Sequence, residues 1–195
     1  MGQIPGGPKD EDPPVVVKSK PANYSTNYES KNIVIKFDEY VTLKDAFTEV
    51  TVSPPMETTP LPYTRGMGVV VELPASELDT FTYTIDFGQS IADNNEGNKL
   101  PNFQFVVTKQ AHIDSFSVSG KILDAFTHQP DKDGMFVYLN SNLSDTVPYT
   151  TKPSYLGRTG PDGNFKINHI APGTYQVYAI KDANANMIFD MPTEV

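Results

Sequence analysis

The chain has 195 residues, 38% of them hydrophobic and 20% charged, and its 24 Asp and Glu against 15 Lys and Arg give a net charge of -9. That length allows one large or two small domains, and the acidic balance argues against nucleic acid and anionic membrane surfaces, which require clustered Lys and Arg. The absence of cysteine excludes disulfides, thiolate nucleophiles, iron–sulfur clusters and thiolate zinc sites. Tyr, Phe and Pro number 10, 11 and 17 without long Ala, Leu, Glu or Lys runs, which points to strands and turns rather than helices.

Residues 1–14 (MGQIPGGPKDEDPP) hold Gly, Pro and charge with nothing to bury, and read as an extended tether. No signal-peptide pattern is present, and a Met followed by such a linker suggests that a natural leader has been cut away. A brief apolar run follows at 15–17. Residues 31–40 (KNIVIKFDEY) set Ile33, Ile35 and Phe37 on one face and Val34, Lys36 and Asp38 on the other, the two-residue period of a half-buried strand. Strands are expected again at 49–52, stopped by Ser53-Pro54-Pro55, at 68–73 and at 81–87 (FTYTIDF). In the last of these Phe81, Tyr83, Ile85 and Phe87 share one face and Thr82, Thr84 and Asp86 the other. Phe103, Phe105 and Val107 repeat the alternation. About seven short strands separated by turn clusters predict an antiparallel sandwich. Only 44–47 and 75–78 have helical character, about one turn each.

The pattern breaks at 109–114 (KQAHID), which places a domain boundary at 111–114. Phe116, Val118 and Ile122 mark a new strand, 136–139 another, and 158–167 (RTGPDGNFKI) contains Asp162-Gly163, a hairpin turn because Gly takes positive φ cheaply. Ala171-Pro172-Gly173 leads into 175–180, where Tyr175, Val177 and Ala179 alternate with Gln176, Tyr178 and Ile180. The long loop at 140–155 carries Tyr149 and Tyr155 beside Pro148 and Pro153. Loops longer than about 12 residues in compact domains tend to be functional, so Tyr149 and Tyr155 are the preferred binding residues. For Tyr175, core packing by strand alternation competes with a binding face.

Chemistry-bearing patterns are few. In 182–194 (DANANMIFDMPTE), Asp182, Asn184, Asn186 and Asp190 stand at positions 1, 3, 5 and 9 of a calcium-loop count. The carbonyl of Ile188 falls at position 7 and Glu194 at 13, one place late. Hard oxygens at alternate positions let one loop wrap a calcium ion, which would stabilise an edge loop and catalyse nothing. Met187 replaces the Gly usual at position 6, and an Asx-rich turn capping its own amides is the competing reading. Asp86 with Asp93 and Glu96 offers carboxylates of the kind glycoside hydrolysis needs, but reads better as a solvated turn. His112, His128 and His169 are far apart, with neither H-E-x-x-H nor G-x-S-x-G in the chain, so no catalytic residue is assigned.

The order KNIVIKFDEYV, LDTFTYTIDFGQSIADNNEGNKL and NFQFVVT resembles the bacterial Ig-like domain of surface-layer and envelope proteins, with residues 93–98 in its D..GN loop. The second half resembles the prealbumin-like, carboxypeptidase-regulatory-like family through Val118, Gly120, Thr159, Gly163, Phe165, Ile167, Ile170, Pro172, Gly173 and Tyr175. Such domains are seven-stranded sandwiches that bind or support and seldom catalyse. With PGGPKDEDPP in front, the combination resembles envelope lipoproteins of the Bacteroidetes, which begin just after a lipidated Cys and continue beyond a position like Val195.

The resemblance implies an all-β chain of two tandem β-sandwich domains: a tether at 1–14, an Ig-like domain at 15–110 and a prealbumin-like domain at 115–195, truncated at its C-terminus. It implies a non-enzymatic structural or adhesive module of the cell envelope, lipid-anchored to the outer membrane, whose partner is an envelope protein or a glycan. Membrane contact would come only through an anchor that this chain lacks. The alternative is a carbohydrate-binding accessory module of a glycan-handling system. No cofactor is assigned with certainty, and calcium is the one candidate.

Overall fold

The computed structural model describes residues 10–184 and 186–190. The first half carries β1 (Val16–Lys20), β2 (Asn32–Phe37), β3 (Val41–Leu43), β4 (Thr51–Ser53), β5 (Tyr63–Thr64), β6 (Gly68–Glu72), β7 (Thr82–Asp86), β8 (Ile91–Asp93) and β9 (Gln104–Thr108). The second carries β10 (Phe116–Lys121), β11 (Phe136–Asn140), β12 (Tyr155–Arg158), β13 (Asn164–Ile170) and β14 (Gln176–Ile180). Among the described residues helix is confined to α1 (Ala46–Glu49), α2 (Val147–Thr150) and a 3-10 turn at Ala75–Glu77. The fold is all-β, as the alternation predicts, with the strands in two tandem sandwiches. β3, β5 and β8, two or three residues each, are too short to show a period and were not legible in the sequence.

In the first half the antiparallel sheet β1-β2-β6-β5 shares one core with β4-β7-β9. Register aligns Ile33 with Val71 and Ile35 with Val69 across β2 and β6, and Tyr83 with Val107 and Ile85 with Phe105 across β7 and β9. All of these side chains are buried. Burying one contributes about 1.5 to 3 kcal/mol, so the alternation is what sets the register.

In the second half β10-β13 and β12-β11-β14 enclose Val137, Leu139, Tyr155, Phe165, Ile167 and Ile170. The sheets approach closely at one point: a Cβ on Gly157 of β12 would lie 2.6 Å from Ile167 Cγ1 of β13, while one on Gly120 would lie 2.9 Å from the ring of its cross-strand partner Phe165. The opposite face of β11 joins Tyr138 to Leu156 and Ile180, with Met187 and Phe189 packed over them. Five strands are described here, against the seven expected. Gly163 has φ 80° and makes the expected turn, but β12 pairs with β11 and β13 with β10, so the turn crosses between sheets and is no hairpin. In β14 Val177 is 47% exposed, while Ile180 and Tyr178 pack on the β11 cluster.

Candidate functional site

The two halves meet along a polar seam. β7 turns Tyr83 and Ile85 into the first core, which leaves Thr82 and Thr84 on its other face, yet both are buried. Their cover comes from the boundary segment, through Asp114, and from the second half, through His169. Thr82 Oγ1 donates to Asp114 Oδ2 at 2.9 Å and accepts the Asp114 N–H at 2.9 Å. Thr84 Oγ1 lies 3.0 Å from His169 Nδ1. His169 reaches it through a bulge: Phe116 pairs with Ile170 and Val118 with Ile167, so two residues of β13 oppose one of β10. The bulged His169 takes φ 59°, and such bulges re-aim a side chain. Tyr24 meets its ring edge-on at 5.6 Å. Burial pushes the His169 imidazole below its ordinary pKa; the Asp114 charge opposes this and the Lys166 charge adds to it. Alongside, the Leu156 N–H donates to Ser53 Oγ at 3.1 Å, which ties the edge of β12 to the edge of β4.

Two hollows flank the seam. A cleft of about 320 Å³ is lined by Glu49, Asp86, Gln104, Lys132, Arg158 and Lys166 among others, with no aromatic ring. Arg158 spans it, donating to the carbonyls of Thr48 at 3.2 Å and Asp133 at 2.9 Å. The second, of about 410 Å³, is bordered by Pro54, Pro55, Phe81, Tyr155, Pro172 and Tyr175.

Of the two tyrosines assigned to binding, only Tyr149 is on the surface, 48% exposed on α2, with its ring edge-on to Phe189 at 5.4 Å. Tyr155 corrects the expectation of an exposed loop aromatic. It opens β12, is 2% exposed and lies edge-on to both Phe81 and Tyr175. Its hydroxyl is occupied by the Ala171 N–H at 3.1 Å. A ring held on both sides in this way packs in the second core.

The C-terminal loop brings three of the calcium candidates, Asn184, Asn186 and Asp190, together. Asp182 is buried, and its Oδ2 accepts the Tyr138 hydroxyl and the Met187 N–H, each at 2.7 Å. The amides of Asn184 and Asn186 both donate to Asp190 Oδ2, at 2.8 and 2.7 Å. Asn184 Oδ1 accepts the Asn186 N–H and Asn186 Oδ1 the Ile188 N–H, so the Asx-turn bonding of the competing reading is present as well. Glu194 lies outside the described residues. Among the described residues no three His, Cys, Asp or Glu side chains cluster as a metal site.

A family model for the bacterial Ig-like domain matches residues 10–109, half of the chain. The chain belongs to the bacterial Ig-like domain family. No curated protein matches it. Within the Ig-like domain the D..GN loop has a structural explanation. Asp93 is 2% exposed, its Oδ1 accepts the N–H groups of Asn95, Glu96 and Gly97, and its Oδ2 accepts that of Asn98. Burial alone pushes this carboxyl up; the four N–H donors outweigh burial and hold it below the ordinary carboxylate range. Asp93 therefore organises its own loop. The seam residues Thr82, Thr84, Asp114 and His169 were not singled out from the sequence. Their one signal there is a β-branched polar pair on a strand whose other face is fully apolar.

Proposed function

We propose that the chain is a non-enzymatic spacer and interaction module of the cell envelope, in which the Ig-like domain is braced against a prealbumin-like domain and carried on a lipid-anchored tether. The observation that carries this reading is the seam. A buried Thr82–Asp114 contact to the boundary segment, a partly buried Thr84–His169 contact and a strand-edge bond brace one domain against the other, which suits a rigid extension more than a hinged enzyme. Ig-like domains of this family occur in extracellular or envelope proteins, and no helix among the described residues is long and apolar enough to cross a membrane. The prealbumin-like reading draws support from Phe165, Ile167 and Ile170 in the second core and from the turn at Gly163. The tether and lipid anchor rest on the likeness of PGGPKDEDPP to lipoprotein starts.

Tyr149 is the aromatic we assign to protein recognition. A second reading, carbohydrate binding, is favoured by the hollow beside Phe81 and Tyr175, since aromatic faces are what sugars stack on. Crosslinking of the anchored full-length protein in its own cells, with mass spectrometry of what is captured, separates the two. A reproducible set of envelope proteins supports the interaction spacer; recovery of polysaccharide or glycan-handling enzymes puts the second reading first.

A further inference from the structure

We propose that the loop from Asp182 to Asp190 is a calcium site, whose ion pins the C-terminal segment over the outer face of the β12-β11-β14 sheet. Asp182 is the residue that points to a ligand. It is only 8% exposed, and the bond from the Met187 N–H, five residues on, turns its carboxylate into the loop. Its Oδ2 is doubly occupied, while its Oδ1 is buried with no hydrogen-bond partner. An ionised carboxylate accepts at about four positions, and a buried oxygen left unmatched marks a missing water or ion.

The rest of the loop supplies a matching donor set. Asn184 and Asn186 converge on Asp190 Oδ2, and each amide brings an oxygen that rotation exchanges with its nitrogen. With the Ile188 carbonyl, hard oxygens stand at positions 1, 3, 5, 7 and 9, and two carboxylates balance a divalent charge. Met187 takes φ 65°, so the sharp turn that Gly usually makes is made without one. Oxygen donors on a short, uneven loop suit calcium. Zinc prefers nitrogen and sulfur, and magnesium demands a near-ideal octahedron.

The Asp93 loop provides the internal contrast: four backbone N–H groups occupy both its carboxylate oxygens, and no oxygen is left over. The calcium loop is also placed to act on structure. Met187 and Phe189 cover Tyr138, Leu156 and Ile180, and the Phe189 N–H donates to the Pro148 carbonyl at 2.7 Å, beside Tyr149.

The test is calorimetric titration of calcium into the chelator-stripped 195-residue chain, with terbium luminescence sensitised by tyrosine as a second readout. The expected result is one site with a Kd of about 0.1 to 1 mM, the range of extracellular calcium modules, and a melting midpoint about 3 to 6 °C higher at ten times that concentration. The exposed pair Asn184→Ala with Asn186→Ala, checked for retained fold by circular dichroism, is expected to weaken calcium at least about tenfold and to lose the terbium signal. No heat and no midpoint shift up to about 10 mM calcium overturns the site. So does calcium binding of unchanged affinity in the folded double variant, because the ion then sits elsewhere.

Discussion

Asp93 and His169 are both titratable groups shifted by the fold, and both make stability fall as pH drops, for opposite reasons. Asp93 is held ionised by its own loop, with its pKa below the ordinary 3.8. A depressed carboxylate contributes stability that is present above the unfolded value and is lost as pH falls through the folded one. The melting midpoint of the wild type is therefore expected to fall below pH 3.8 more steeply than that of Asp93→Asn, while at pH 7 the variant melts lower. Equal slopes in acid would remove Asp93 from this role. His169 is held neutral by burial between Thr84 and Tyr24, with Asp114 favouring its proton and Lys166 disfavouring it. Its contribution is complete above the unfolded value of 6.5 and is lost as pH falls below it. Asn tolerates the left-handed backbone at this position, so His169→Asn keeps the bulge and removes the titration. Thermal melts from pH 7.5 to 5 are expected to show the wild type losing more of its midpoint than His169→Asn. A variant that tracks the wild type through that range would show that the seam does not feel this proton.

Strand β7 carries the clearest lesson about elements. The alternation in FTYTIDF correctly sends Tyr83, Ile85 and Phe87 into the core, because burial of one face dictates a period of two. What covers the other face is not a local property. The partners of Thr82 and Thr84 lie 32 and 85 positions away in the chain, and no window of sequence brings them together. Thr82→Val keeps the shape and β propensity of the strand but strands the buried Asp114 N–H and carboxylate. The expected cost is about 1 to 3 kcal/mol, read as a lowered denaturant midpoint at unchanged slope. A loss within about 0.3 kcal/mol would mean that water satisfies Asp114 and that the seam is not closed there. Tyr155 was misread for a related reason. β12 is four residues long and follows Pro153, so it offers too little alternation to be told from the loop before it. The loop proposed for calcium was legible as a spacing of Asp and Asn, but the burial of Asp182 and the left-handed turn at Met187 were not. The first depends on Tyr138 of β11 closing over Asp182 from outside the loop.

For the molecule as a whole, the sequence indicated two sandwiches and a break between them, since each half shows its own run of alternating strands. It did not indicate that the halves would be fastened, because the bonds that fasten them join Thr82 to Asp114, Thr84 to His169 and Ser53 to Leu156, all polar residues or backbone that composition treats as surface. Inter-domain contacts of ordinary size permit relative motion by default, so fastening is a specific claim. It is also the claim on which the spacer reading depends: a rigid pair extends from a membrane by a fixed distance, and a hinged pair does not. The measurement that tests it most directly is backbone amide relaxation by NMR on the full chain at neutral pH. The account predicts a single rotational correlation time for strands β1–β9 and β10–β14, that of one body of 195 residues. Two shorter, distinct correlation times, one for each half, would contradict it.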